Sequence, residues 1–247
     1  MKKLLLLLAI LGLCACKNES DKSGDKQPTG PVKVALIGDS ITTWKGYTPY
    51  PNNYQYPKSS YTDLTSVEQS YWWKLIYEKM PSAELDVNTS YTGTCVQEHD
   101  SKGHPGYCFL RRYDDMNDPD VVLINGGTND SWSYKLPVGE LNFDLALEEL
   151  NEYQFAQAYD KLIRLIRRDY PKAKIMLIIG DAMQDYPRYR DIVMQLATRY
   201  NLPYAMVIFP NRTASTYDKV HPNAKGMQEM ADQIWEQLEF DLKQVKR

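Results

Sequence analysis

Short apolar stretches alternate with amphipathic segments along most of the chain. Five stretches predict β-strands, and they cover residues 32–38, 85–88, 120–125, 174–180 and 204–209. Most of them are apolar without polar alternation, which is typical of parallel strands buried on both faces. Apolar residues recur at helical spacing in four more segments, at 67–80, 152–170, 189–200 and 223–245. Strands that alternate with helices form βαβ units, so the pattern predicts an α/β fold, a three-layer α/β/α sandwich around a parallel sheet.

The first strand ends abruptly in Gly38-Asp39-Ser40. Gly38 allows the backbone to turn where a Cβ would crowd it, and Ser40 then lies at the carboxyl end of the strand. Ligands of open α/β sheets bind at that edge, so Ser40 is a candidate nucleophile. The alternative is that Ser40 only caps a helix, since Asp and Ser are preferred at that position.

His221 is the candidate general base for Ser40. Nucleophilic serine chemistry needs a base that takes the hydroxyl proton and a group that orients this base. Asp218 lies three residues before His221, so one turn can direct its carboxylate toward Nδ1 of the imidazole. The alternative role for Asp218 is an acid that complements the dipole of the last helix. Together these residues predict a Ser40–His221–Asp218 triad.

Four sequence blocks favour the catalytic interpretation. Gly38-Asp39-Ser40, Thr92-Gly93, Gly127-Thr128-Asn129-Asp130 and Asp218-Lys219-Val220-His221-Pro222 resemble the blocks of the SGNH, or GDSL-type, serine hydrolases, in the order of that family. The resemblance covers nearly all of the chain after residue 31 and implies a flavodoxin-like five-stranded parallel sheet. It also implies hydrolysis of esters or thioesters through an acyl-enzyme, with no metal and no cofactor.

Three hydrogen-bond donors are expected to stabilise the oxyanion of this reaction. They are the backbone N–H groups of Ser40 and Gly93 and the side-chain amide of Asn129. Gly93 and Asn129 come from loops that follow the second and third strands, so all three donors should meet at one edge of the sheet. Ser90 stands where the family often has a first glycine.

The start of the chain predicts export. Residues 1–15 combine Lys2-Lys3 with an apolar core that is too short to span a bilayer comfortably, which is typical of a signal peptide. Leu13-Cys14-Ala15-Cys16 resembles a bacterial lipobox in which Cys16 carries the lipid. Cys14 is the competing site, but the preceding Leu13 is large for the usual small-residue position.

A flexible tether is predicted to join the lipid to the enzyme. Residues 16–31 are almost entirely polar, glycine and proline, so they cannot bury a core. The hydrolase domain is then expected over residues 32–247. We therefore expect a protein that is lipid-anchored to a bacterial membrane, either periplasmic or at the cell surface.

Charge argues against a nucleic-acid partner. The formal net charge is −3 at pH 7, and the body of the chain has no run rich in Lys and Arg. Binding to phosphate backbones depends on such clustered cations. Contact with the membrane is expected through the lipid anchor alone.

Cys95 and Cys108 are the cysteines of the predicted mature domain. An oxidising compartment permits a disulfide between them, which would close a short loop, and the alternative is two buried free thiols. His99 and His104 lie between them in sequence, but no second cysteine pair or HExxH-like helical pair supports a metal site. No metal is therefore predicted.

A long aromatic loop follows the candidate nucleophile. Residues 44–66 contain several tyrosines interleaved with prolines, and the prolines prevent a continuous helix. A loop of this length inside a compact domain is usually functional or disordered, and its aromatic content argues against disorder. It is expected to form one wall of the cleft, with Trp44 and Tyr47 as substrate-binding residues. The alternative is an aromatic loop that packs on itself.

These features predict an esterase that removes short acyl groups, most of all acetyl, from carbohydrate. Tyrosine and tryptophan rings offer a flat apolar face and a polar handle to a sugar, and no apolar lid for a fatty chain is evident. The alternatives are a lysophospholipase, lipase or thioesterase for longer acyl chains, and a glycan-binding lipoprotein that has lost the reaction. A pure binder has no need to keep the complete set of catalytic positions, which argues against the last of these.

Overall fold

A parallel sheet forms the centre of the computed structural model, which describes residues 30–246. Its strands are Val32–Gly38 (β1), Ala83–Asn88 (β2), Val121–Asn125 (β3), Lys174–Ile179 (β4) and Tyr204–Met206 (β5). They pair in the order β2-β1-β3-β4-β5, and each of these pairings is parallel. The predicted five-stranded parallel sheet is confirmed.

Helices follow the strands at the expected places. The α-helices are Tyr71–Trp73 (α1), Phe155–Asp169 (α2), Pro187–Tyr200 (α3), Arg212–Ser215 (α4) and Ala224–Lys243 (α5). Shorter helical segments are the π-helices Lys74–Lys79 and Asn129–Ser133 and the 3-10 turns Val67–Gln69, Phe109–Arg111, Tyr113–Asp115, Leu147–Glu149 and Asp181–Asp185. The segment 67–80, predicted as one helix, is therefore interrupted. Ser70 causes the break, because its extended backbone ends the 3-10 turn and its hydroxyl caps α1.

Both faces of the sheet are covered, which explains why its strands lack polar alternation. Val34 and Leu36 of β1 belong to a core that also contains apolar residues of α1 and α5. Ala35 and Ile37 point to the other face, into a core shared with α2 and α3. Since successive side chains of a strand point to opposite faces, β1 must be apolar at every position. The three-layer α/β/α sandwich is confirmed.

The fifth strand is shorter than its apolar pattern predicted. It ends at Met206 rather than at residue 209. Beyond that point the edge is covered by two glutamines of α5, because Gln237 bonds the backbone N–H and carbonyl of Met206 and Gln233 does the same for Ile208. Side chains thus satisfy backbone groups that the sheet would otherwise leave open.

The predicted signal peptide, the lipidation site Cys16 and most of the tether over 16–31 lie outside the described residues. Within residues 30–246, no helix combines the length and the apolar character needed to cross a bilayer.

Candidate active site

Ser40 lies in the turn that follows β1, with 4% of its surface exposed. Asp39 holds this turn, since its carboxylate accepts a hydrogen bond from the backbone N–H of Ile41 at 3.0 Å. A Cβ on Gly38 would stand 2.5 Å from Oγ1 of Thr42, so the close approach of the chain here requires glycine. The serine is therefore at the carboxyl edge of the sheet, where the sequence predicted it.

His221 reaches Ser40 from the loop between α4 and α5. Its Nε2 lies 2.9 Å from Oγ of Ser40, and its Nδ1 lies 2.6 Å from a carboxylate oxygen of Asp218. The other oxygen of Asp218 accepts hydrogen bonds from the backbone N–H groups of His221 and Val220, at 2.8 and 3.1 Å. These bonds fold the loop back on itself and direct the carboxylate to the ring. The three predicted triad residues are brought into one hydrogen-bonded row.

The surroundings of His221 favour a neutral imidazole. Burial lowers its pKa from the ordinary value, and the hydrogen bond and charge of Asp218 oppose this effect only in part. Burial would raise the pKa of Asp218, but hydrogen bonds from the backbone and ring of His221 outweigh it, so this pKa is lowered. An ionised Asp218 accepts a hydrogen bond from Nδ1–H, which leaves Nε2 free to accept the hydroxyl proton of Ser40.

Two loops bring the expected oxyanion donors to the same edge. Gly93 follows β2 and has φ +80°, and a Cβ there would stand 3.0 Å from the ring of His104. Asn129 follows β3 and uses one amide hydrogen to bond the carbonyl of Thr94 at 2.9 Å. Its amide has a second hydrogen to donate. In the described part of the chain, no hydrogen bond ties up the backbone N–H of Ser40 or Gly93.

Arg112 is a component of this edge that sequence reasoning missed. Its buried guanidinium donates hydrogen bonds to the carbonyls of Gly38, Thr89 and Tyr107 and to the hydroxyl of Thr94. Burial lowers its pKa to about 10, so it stays a cation at neutral pH. It therefore links the ends of β1 and β2 to the loop that carries Gly93. Arg112 is one of two adjacent arginines and lies between two short 3-10 turns, and nothing in that local sequence signals this role.

Two buried carboxyl groups flank the same edge. Asp130 accepts hydrogen bonds from the backbone N–H groups of Val96 and Gln97, at 3.0 and 3.1 Å, which fixes the loop after Gly93. Burial raises the pKa of Asp130 to about 7 and that of Asp39 to about 6. One oxygen of Asp39 is buried without a hydrogen-bond partner. The acidic residues of the first and third sequence blocks thus each support a loop.

Residues 32–238 match the model of the family described as GDSL-like Lipase/Acylhydrolase. The chain belongs to this family. The fold and the order of the blocks are those expected from the SGNH-type resemblance, and the reaction class is hydrolysis of carboxylic esters.

The ester hydrolase has similar solved structures, among them two proteins assigned as GDSL-like lipases. The one from Bacteroides ovatus is 25% identical, with a TM-score of 0.73 over 85% of this chain and 99% of that chain. The one from Bacteroides uniformis is 27% identical, with the same TM-score over 85% and 97%.

Two more distant relatives are esterases. A family two carbohydrate esterase from Clostridium thermocellum, solved in complex with cellohexaose, is 21% identical, with a TM-score of 0.59 over 87% of this chain and 66% of that chain. A multidomain esterase from Ruminococcus flavefaciens is 24% identical over 257 residues, which cover 87% of this chain. The hydrolase spans only 29% of the length of that multidomain protein.

The aromatic residues predicted to bind substrate are placed differently in the hydrolase. Trp44 is only 4% exposed, and its ring stacks on Tyr56 at 5.8 Å, so most of its surface is used in packing within the loop and its role in substrate binding stays a prediction. Tyr47 is exposed but packs against the rings of Trp72 and Trp73, at 5.6 and 6.0 Å. Both contacts tie it to α1 rather than to Ser40. This part of the loop packs on its own scaffold, because large rings so close to a core gain more from burial than from exposure.

The predicted disulfide is wrong, because Cys95 and Cys108 are both free, buried thiols. The thiol of Cys108 points to the carboxylate of Glu98 at 3.5 Å, and burial raises its pKa to about 12. Cys95 packs against Gly103, where a Cβ would stand 2.7 Å from its sulfur, and burial raises its pKa as well. Burial thus keeps both thiols protonated at neutral pH.

His99 and His104 serve separate local structures. Nδ1 of His99 accepts hydrogen bonds from the backbone of Ser101 and Lys102. The ring of His104 lies 5.3 Å from that of Tyr91. Over residues 30–246, no group of histidine, cysteine and acidic side chains is arranged to hold a metal ion.

Proposed function

We propose that the hydrolase is an extracytoplasmic serine esterase that removes short acyl groups, acetyl above all, from carbohydrate. The observation that carries the proposal is the hydrogen-bonded row from Ser40 through His221 to Asp218, with contacts of 2.9 and 2.6 Å. This row contains a nucleophile, a base in the correct tautomer and a group that orients the base.

Acyl transfer to the enzyme follows from this geometry. Nε2 of His221 takes the hydroxyl proton as Oγ of Ser40 attacks the acyl carbonyl. The negative charge that forms on the carbonyl oxygen is stabilised by the N–H groups of Ser40 and Gly93 and the amide of Asn129. Collapse of this intermediate breaks the ester bond, and His221 returns the proton to the departing sugar oxygen. The acyl group is now bound to Ser40.

Water completes the cycle by the same steps in reverse order. His221 takes a proton from a water molecule, which attacks the acyl carbonyl on Ser40. The second tetrahedral intermediate uses the same oxyanion donors. Its collapse releases the carboxylic acid and restores the hydroxyl of Ser40 with the proton from His221.

The substrate class is supported by two observations. The carbohydrate esterase from Clostridium thermocellum, which binds cellohexaose, shares the fold. A long acyl chain would call for an enclosed apolar channel beside the nucleophile. In the described part of the chain, neither the pocket of about 500 Å³ along α3 nor the pocket of about 490 Å³ around Leu136 and Tyr189 is lined by a triad residue. The extracytoplasmic location is supported by the lipobox-like sequence at Cys16, and mass spectrometry of the mature amino terminus tests it.

Kinetics on matched esters test the proposed activity. Purified wild-type protein should hydrolyse 4-nitrophenyl acetate and acetylated oligosaccharides, and its kcat/KM should fall steeply from acetyl to octanoyl esters. Ser40→Ala should lower kcat by at least about 10⁴-fold, because triad residues act as a unit. Ser60→Ala, on an exposed position of the aromatic loop, is the matched control and should keep the wild-type rate. A preference for octanoyl over acetyl would overturn the proposal in favour of a lipase.

A further inference from the structure

Three tyrosines from separate segments meet in an aromatic cluster, here named the tyrosine platform: Tyr50, Tyr91 and Tyr107. The rings of Tyr91 and Tyr107 are stacked at 4.5 Å with an interplanar angle of 30°. Tyr50 meets both rings edge-on, at 5.0 and 6.1 Å. Tyr107 remains 43% exposed although it is large and partly apolar. The platform therefore presents an open aromatic surface.

The platform adjoins the expected oxyanion donors. Tyr91 lies two residues before Gly93, so their Cα atoms are at most about 7.6 Å apart. The ring of His104 fills the space between them, because it is 5.3 Å from the ring of Tyr91 and 3.0 Å from the point where a Cβ of Gly93 would be. A molecule whose ester occupies the oxyanion site would extend over these rings.

Hydrogen bonds hold the platform at a fixed position relative to Ser40. The backbone N–H of Tyr91 donates to the carbonyl of Gly38 at 3.2 Å. The carbonyl of Tyr107 accepts from Arg112 at 2.8 Å, and the same guanidinium bonds Gly38 at 3.2 Å. The backbones of Tyr91 and Tyr107 are thus tied to Gly38, two positions before the nucleophile, directly for Tyr91 and through Arg112 for Tyr107. Such preorganisation lowers the entropic cost of placing a substrate.

The third ring is fixed from the side. The hydroxyl of Tyr50 donates to Asp115 at 2.6 Å, and the side chain of Asn53, from the same loop, accepts from the backbone N–H of Thr92. The aromatic loop after Ser40 therefore reaches the loop of Gly93 through Tyr50 and Asn53, and it reaches the triad through Tyr56 and Tyr61, whose rings lie 6.5 Å from that of His221. Polar groups surround the rings on this side.

From this arrangement we propose that the tyrosine platform is a saccharide subsite, which holds the sugar that carries the scissile ester. The inference rests on the proposed function. A pyranose ring has a face of C–H groups that packs on an aromatic ring and a rim of hydroxyls that need polar partners, and the platform offers both. A fatty chain would make no use of the polar groups at the rim, such as His104, Asn53 and Asp115. The exposure of Tyr107 leaves this surface accessible to a polymer.

Paired substrates test the subsite. For Tyr107→Ala, KM should rise about tenfold on acetylated xylo-oligosaccharide, while kcat and the kinetics on 4-nitrophenyl acetate stay within twofold of wild type. Tyr107→Phe should keep most of the affinity, because the ring face makes the contact. Tyr153→Ala, another exposed tyrosine, is the control and should behave as wild type. Binding without hydrolysis is measured with Ser40→Ala and the same oligosaccharide, by saturation-transfer NMR. Adding Tyr107→Ala to that variant should abolish this binding.

The outcomes separate the subsite from the activity. If wild type hydrolyses acetylated oligosaccharides and Tyr107→Ala keeps the wild-type KM, the subsite is overturned and the proposed function stands. If wild type hydrolyses 4-nitrophenyl acetate but no acetylated glycan of a panel of xylan, cellulose and mannan fragments, the proposed function is overturned and the subsite with it. A loss confined to octanoyl esters would identify an acyl-chain surface instead.

Discussion

The proton affinity of a single side chain, His221, decides the pH range of the proposed reaction. Its imidazole is buried enough that its pKa falls below the ordinary value, although Asp218 supports the cation. The base must be neutral to accept the proton of Ser40, so a lowered pKa keeps it active in more acidic solution. The sequence motif identifies His221, but the surroundings of its ring determine the pH range in which it can act as a base.

The pH profile of kcat/KM should show this effect directly. The acid limb is expected below about 6.5, the pKa of an unperturbed histidine. Asp218→Asn removes the carboxylate that raises the pKa of His221, so the limb should move to still lower pH while kcat falls by roughly 10⁴-fold, as for other triads. Rates on 4-nitrophenyl acetate between pH 4 and 9 check the acid limb of the wild type and its shift in Asp218→Asn. An acid limb at or above pH 7 in wild type would contradict the inferred surroundings of His221.

At the scale of elements, loops at the ends of three neighbouring strands must be held together. The carbonyl groups of Gly38 and Thr89 end β1 and β2, and their negative dipole ends would oppose a developing oxyanion nearby. Arg112 neutralises these carbonyls and also bonds Thr94, whose carbonyl receives the amide of Asn129. One guanidinium thus connects the strand ends with the loops that supply the oxyanion donors.

Arg112→Lys should therefore impair the chemical step more than substrate binding. Lysine keeps the charge but cannot reach several acceptors in one plane, so the donors shift. We expect kcat to fall by about 10- to 100-fold, less than the full loss of a donor, with KM within twofold. Steady-state kinetics on 4-nitrophenyl acetate measure kcat and KM, and a thermal melt measures the Tm of the variant.

Arg164→Lys is the matched control for this change. Arg164 also bonds two carbonyls, those of Phe143 and Leu145, and it pairs with Asp160, but it lies on α2. Its replacement should lower Tm without lowering kcat. Equal losses of kcat in the two variants, or an unchanged kcat in Arg112→Lys, would show that Arg112 has no particular link to the oxyanion donors.

For the whole molecule, the buried carboxyls of Asp39 and Asp130 connect the active edge to global stability. Burial raises their pKa values to about 6 and about 7, whereas both would ionise near pH 4 in the unfolded chain. Between these values the folded state binds more protons than the unfolded state. The free energy of unfolding contributed by these groups is therefore present at low pH and is lost as pH rises toward 7.

Urea unfolding at pH 5 and pH 8 should detect this loss. Between the two conditions the wild type should lose about 1 kcal/mol from Asp39 and about 3 kcal/mol from Asp130, because stability is lost only until the pH passes each folded pKa. In Asp130→Asn the free energy of unfolding should decrease less between pH 5 and pH 8, by the amount that the Asp130 carboxyl contributes. This holds even if the variant is less stable than wild type at both pH values. Asp144→Asn, on an exposed position, should keep the wild-type difference. Identical differences in all three proteins would refute the assignment.

The sequence alone determined the sheet, the layers and the candidate triad. Strands buried on both faces need uninterrupted apolar runs, and Ser40, Asn129 and His221 stand in short motifs that follow such runs or begin a helix, so these features are local. The helix boundary failed at Ser70 for a local reason, because its hydroxyl caps α1. The strand boundary failed at the end of β5 for a tertiary reason, because glutamines of α5 replace strand pairing there.

Only the tertiary structure decided which aromatic rings and which charged groups lie at the active-site edge of the sheet. The contact of Ser40 with His221 joins residues 181 positions apart. The burial of Trp44, the separation of Cys95 from Cys108 and the exposure of Tyr107 depend on what packs beside each side chain, which no local pattern contains. Arg112 is the extreme case, because its partners come from four separate positions that are adjacent only after the sheet has formed.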